Sequence, residues 1–220
     1  MRSPVTISWR SSSRISDWAL GVGTAVVCLL IYLGETRLAG SLDPVLVFRG
    51  IWTTPFWEEA VWIYVSQYAL LVAPFLFLRA ERRRYCTAIM LTYLVAGVIH
   101  LAIPSYLERP SLSEATKEDD RLTALVLESV YSKDQPVSVF PSLHMAGSLV
   151  AVSAWWKWKR KSAPLGTLWC LAIAVSTLAI RQHVLADLIA GVVLGWLSAA
   201  WLIRPGMKQE ARSEGSAAFG

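Results

Sequence analysis

At 220 residues the chain is the size of one domain, and 55% of its residues are hydrophobic. Its mean hydropathy of +0.45 excludes an ordinary soluble domain and points to a lipid environment. The formal net charge of +5 follows from where the basic residues fall along the chain, and implies no nucleic-acid partner.

A basic segment, 1–17, precedes six apolar stretches at about 18–34, 57–78, 85–104, 142–156, 165–181 and 184–203. Helices need about 17–25 apolar residues to cross a bilayer, so the pattern predicts an all-α, integral-membrane six-helix bundle over 18–204. The fourth stretch is the shortest. The first has no small-residue cleavage site and reads as a retained span rather than a removable leader. Residues 35–56, punctuated by Gly and Pro, read as a re-entrant or interfacial stretch.

The one sizeable extramembrane segment is 105–140. Within it Ser113 and the acids up to Asp120 supply a helix start, and Leu122, Leu125, Val126 and Val130 follow at helical spacing. A short amphipathic helix on the outer surface near the mouth of a site is expected, with a plain linker helix as the alternative. The segment 205–220 is polar, rich in small residues, and expected to be a disordered cytoplasmic tail.

Lys and Arg alternate between the connections. Fourteen fall on the side that holds both termini and seven on the other, where the long loop carries four bases among seven acids. Both termini are therefore expected in the cytoplasm. Trp155, Trp156 and Trp158 interleave with Lys157 and Lys159 where the fourth span leaves the bilayer, as interfacial anchors do. Cys28, Cys86 and Cys170 lie singly within spans and read as packing residues, with no metal spacing. Short loops and compact size suggest a bacterial inner membrane.

Two of the three histidines open apolar stretches, in Phe140-Pro-Ser-Leu-His-Met-Ala-Gly147 and Gln182-His-Val-Leu-Ala-Asp187. One intervening span returns the chain to the same face, so His144 and His183 reach one membrane surface together with Arg109-Pro110. Asp187 lies one helical turn from His183 on the same face. A carboxylate there can orient the imidazole and hold its proton, which suits a nucleophilic histidine. His144 could donate a proton to a leaving oxygen. Pro141 suits a first helical turn, and Ser142 is either a helix cap or, with the first-turn amides, an anion ligand. Arg109 and Arg181 are either phosphoryl ligands or, respectively, a loop charge and a headgroup anchor. His100 reads as structural or interfacial, with an accessory substrate contact as the alternative.

These motifs resemble the type 2 phosphatidic acid phosphatase superfamily over roughly residues 85–203. Pro141-Ser-Leu-His144 brings them closest to the inositol phosphorylceramide synthase-like branch. The resemblance implies a phosphohistidine on His183 oriented by Asp187, with His144 as acid and Ser142 and Arg109 holding phosphate. It implies a lipid phosphate substrate and calls on no metal or cofactor. Leu143 stands where the wider family has glycine, Thr177 where it has arginine and Val184 where many branch members have tyrosine. No Lys precedes Arg109-Pro110 at the family spacing, where position 102 is Ala. A non-catalytic lipid-binding or lipid-translocating protein is the main alternative. A haem or metal protein using His144, His183 and His100 is the other.

Overall fold

The structure, a computed structural model, describes residues 12–49, 54–78, 81–112 and 121–203. Runs of Leu, Ala, Val and Ile without strong breakers form the long helices α1 (Ser12–Ala39), α4 (Arg82–Ala102), α6 (Leu143–Trp158), α7 (Ala163–Ala179) and α8 (Leu185–Ile203). The second apolar stretch forms one helical segment, Glu58–Phe77. A 3-10 turn at Glu58–Ala60 leads into α2 (Val61–Val65), and a single residue with helical backbone angles, Ser66, separates it from α3 (Gln67–Phe77). Ser66 Oγ bonds back to the Ile63 carbonyl at 2.6 Å and accepts from Trp169 Nε1 at 2.8 Å, which ties this turn to α7.

Three helical segments are long and apolar enough to cross a membrane: Trp18–Ala39, Glu58–Phe77 and Arg82–Ala102. The apolar helices Ala163–Ala179 and Leu185–Trp201 are shorter. The fold is thus mostly helical with at least three candidate spans. A bundle in which six helices cross goes beyond this and is taken up under the proposed function.

Helices α6 and α8 make the most extensive contact, followed by α1 with α4. Small residues set the first of these. A Cβ on Gly195 would lie 2.6 Å from the Ala146 carbonyl oxygen, and one on Gly191 would press on the Ser142 carbonyl. This is the close approach expected of the Gly191/Gly195 spacing. The core between α1, α3, α4, α6 and α7 holds Leu70, Ala88, Val150, Ala151 and Ile173, and all three cysteines are buried free thiols.

Several helix ends meet at one end of the structure. The Ser142 amide, at the start of α6, donates to the Asp187 carbonyl in α8 at 3.0 Å, and Trp57 N donates to the Ala179 carbonyl at the end of α7 at 3.2 Å. Residues 35–49 carry the end of a helix and a strand. Helix α1 continues to Ala39, and β1 (Leu46–Phe48) pairs in parallel with β2 (Ser105–Leu107). Runs this short carry no readable period in sequence, and only the partner strand makes them strands.

The amphipathic helix is α5 (Arg121–Lys133); the capping segment 113–120 lies outside the described residues. Val126 and Val130 pack against the cluster that holds Ala60, Val61 and Tyr64. Thr123 and Leu127 are buried, whereas Leu122 and Leu125 are exposed. Trp62 Nε1 donates to Thr123 Oγ1 at 3.0 Å, which links α2 to this helix. The segments 1–11 and 204–220, which include the expected tail, also lie outside the described residues.

Candidate active site

His183 sits just before α8 and Asp187 in its first turn, where helical spacing sets carboxylate against imidazole. His183 Nδ1 and Asp187 Oδ2 are 3.1 Å apart, and the Val184 amide adds a second bond to the same oxygen at 3.3 Å. Asp187 is fully buried. A buried carboxylate accepts, so Nδ1 carries the proton and Nε2 presents a lone pair. That nitrogen faces Ser142 Oγ at 3.2 Å and His144 Nδ1 at 3.0 Å. The two imidazoles meet edge to face. Four of the residues singled out from sequence therefore share one hydrogen-bonded cluster.

Ser142 is the N-cap of α6, and its Oγ accepts from the Met145 amide at 3.4 Å. Cap and site member are one role here, because the same oxygen also touches His183. Pro141 is not in the first turn. It precedes the cap, and its carbonyl accepts from His100 Nε2 at 3.0 Å. The other nitrogen of His100 lies 3.0 Å from Glu35 Oε2, so a buried carboxylate–histidine pair from α1 and α4 braces the start of α6. His100 thus points to Pro141 and Glu35 rather than toward the other two histidines.

Arg109 donates at 2.7 Å to Oε1 of Gln182, the residue immediately before His183. Its guanidinium stacks on Tyr131 with 4.5 Å to the ring centroid. Burial pulls the Arg109 pKa down, against the attraction of Tyr131 and Asp134. Burial pushes the Tyr131 hydroxyl up to about 12, while Arg109 and Arg181 pull it the other way. Tyr131 also donates to the Ile180 carbonyl at 2.8 Å, so α5 is pinned to the loop before His183.

Arg181 occupies the left-handed region, with φ of 58°. That geometry turns the chain so that Gln182 N and His183 N both bond the Thr177 carbonyl, at 2.9 and 3.3 Å. The Arg181 guanidinium is felt at Tyr131, and it is not among the groups in contact with His183 in the cluster above. Thr177 is buried and its hydroxyl bonds back to Ala174 O at 2.8 Å, so this side chain faces its own helix. Val184 is buried with Leu107 and Val139.

The sequence reading missed Asp134, Tyr32 and Tyr64. Asp134 accepts from Tyr32 at 2.5 Å and from Tyr64 in a shorter bond, and its Oδ2 lies 3.9 Å from His144 Nε2. Burial acts to raise the Asp134 pKa. The nearby His144 and the two tyrosine hydroxyls outweigh it and hold the carboxyl below its ordinary value. The His144 ring lies 4.6 Å from that of Tyr64. No spacing rule connects residues this far apart in the chain, and no sequence signal marked them.

Three long apolar helices are consistent with membrane association, and an aspartate-backed histidine pair lies where helix ends converge. The family model of the PAP2 superfamily matches residues 53–201, more than half of the chain, and the chain belongs to the PAP2 superfamily. The match begins well before residue 85 and so takes in α2, α3 and Tyr64 as well as the histidine motifs. Membership points to phosphatase or phosphotransferase activity. No curated protein and no solved structure matches this chain.

Proposed function

We propose that the chain is a lipid-phosphate phosphatase or phosphotransferase that works through a phosphohistidine on His183. One observation carries this reading: His183 Nε2 is left free by the Asp187 bond to Nδ1 and faces both Ser142 Oγ and His144 Nδ1. In the forward step Nε2 attacks phosphorus, the bond from phosphorus to the leaving oxygen breaks, and His144 gives that oxygen a proton. Water or an acceptor alcohol then takes the phosphoryl group, returning its own proton to His144. Ser142, the first-turn amides of α6 and Arg109 hold phosphoryl oxygens, with Arg181 as an outer cation. These steps call on no metal or cofactor.

A groove of about 900 Å³ between α1, α3 and α4 supports a lipid substrate. It runs from Trp18 and Phe75 past Cys28 to Tyr68 and His144. From Tyr32 to Trp18 along α1 the rise is roughly 21 Å, long enough for much of a hydrocarbon chain. The Pro-Ser-Leu-His motif favours the inositol phosphorylceramide synthase-like branch and transfer over hydrolysis. The proposal includes six spans, both termini in the cytoplasm, the site and α5 at the extracytoplasmic face, and a bacterial inner membrane.

The test is phosphate release from a panel of lipid phosphates by purified protein, with and without added alcohol acceptors, beside His183→Ala. Activity lost in the variant supports the reading, and activity that survives it sinks the reading. A second reading, lipid binding or translocation without chemistry, draws on the 3.0 Å contact between the histidines, which leaves no room for a phosphoryl group unless His144 moves. Lipid movement that survives loss of both histidines, with no phosphate released, would favour it.

A further inference from the structure

His144 has a second partner on the side away from His183. Its Nδ1 touches His183 Nε2, and its Nε2 faces Asp134 Oδ2. Four groups therefore run in line, Asp187, His183, His144 and Asp134, with a carboxylate at each end. The two carboxylates come from different places. Asp187 stands one turn from its histidine in α8, whereas Asp134 follows α5 and is clamped by Tyr32 of α1 and Tyr64 of α2.

The geometry points to Asp134 as the positioning residue for His144, holding its Nε2 proton so that Nδ1 can donate to the leaving oxygen. This rests on the phosphoryl-transfer reading above. An imidazole that gives up a proton from Nδ1 must keep one on Nε2, or it would become an imidazolate. Nε2 needs an anion or acceptor opposite it, and Asp134 is the carboxylate placed there. Asp134 cannot serve on the phosphate side, because like charges repel. At 3.9 Å the present contact is a charge contact rather than a hydrogen bond. To admit a phosphoryl group His144 must leave His183, and movement away from His183 carries Nε2 toward Asp134.

The atoms balance. The bond from His183 Nε2 to phosphorus forms, the bond from phosphorus to the leaving oxygen breaks, and the Nδ1 proton of His144 goes to that oxygen. His144 is left neutral with its Nε2 proton against Asp134. Tyr32 and Tyr64 occupy the carboxylate throughout, which keeps it anionic and fixed. The residues that line the groove include Asp134 and His144, so the alcohol departs into apolar surroundings, where an unprotonated alkoxide would be poorly stabilised.

Two phosphate esters separate this role from a structural one. Nitrophenolate leaves without protonation, whereas an alkyl alkoxide needs the acid. With purified protein, Asp134→Asn is expected to lose at least about 10-fold more kcat on a medium-chain alkyl phosphate than on p-nitrophenyl phosphate, with KM for the alkyl ester little changed. Asp134→Glu, which keeps the charge, should recover part of the difference. Tyr64→Phe retains the carboxylate and should show the same bias in smaller measure, which guards against a misfolded Asp134→Asn. Equal losses on both esters, or no loss on either, would overturn the role of Asp134. If His183→Ala keeps its activity, or the wild type cleaves neither ester with or without acceptor, the phosphoryl-transfer reading falls first and the role of Asp134 with it.

Discussion

Asp187 bonds His183 through the oxygen that also takes the Val184 amide, so its position is set by backbone as well as by the imidazole. Asp187→Asn should leave the helix in place but offer Nδ1 an amide that can reverse the tautomer. Activity is expected to fall about 10²- to 10⁴-fold, read as kcat on the best lipid phosphate, with little change in thermal stability. His100→Ala acts in the opposite way. It strands the Glu35 carboxylate in the interior, where its Oε2 now lies 3.0 Å from His100, and breaking a buried pair costs about 3–5 kcal/mol. A lowered unfolding temperature in detergent would check it. Asp134 supplies a pH test. Its folded pKa lies below the model-compound value of 3.8, so its stabilising contribution is complete above that value and is lost as pH falls through the folded pKa. The stability gap between wild type and Asp134→Asn should therefore be flat at neutral pH and close only below about pH 4.

Helix α8 approaches α6 through Gly191 and Gly195, and the atom nearest a Cβ at Gly191 is the carbonyl of Ser142, the cap itself. Gly191→Ala should therefore displace the cap and reduce activity, with an overpacking cost of about 1–3 kcal/mol. Gly23→Ala in α1, with nothing within 4 Å, is the matched control and should stabilise by about 1 kcal/mol. Thermal unfolding and kcat of the pair would decide this. Element identity was legible wherever apolar runs were long, and the His183–Asp187 spacing could be read because one helix carries both residues. The tie at Ser66 was not legible. Its bond from Trp169 is made only after α7 packs alongside. Helix α5 shows the same limit, since its period was visible while its bond from Trp62 to Thr123 was not.

Across the whole molecule, the meeting of His144 and His183 was legible because each motif opens a helix and one further helix returns the chain between them. Asp134 was not, because its partners lie 70 and 102 residues away and are chosen by packing of α1 and α2. The parallel β1–β2 pair was equally hidden, since each strand has three residues. Orientation rests on the charge bias, fourteen basic residues against seven. Reporter fusions at both ends should report the cytoplasm, and a tag inserted within 113–120 should report the opposite side. A tag on the same side as the termini would refute the six-span arrangement.

The most direct measurement is to trap the phosphoenzyme. Purified protein is mixed with a phosphorus-labelled lipid phosphate, quenched in alkali, and the labelled peptide is sequenced. An acid-labile, alkali-stable phosphate on the peptide carrying His183, absent from His183→Ala, is the predicted result. A label on any other residue, or turnover of the lipid with no nitrogen-bound phosphate at any time point, would contradict the account.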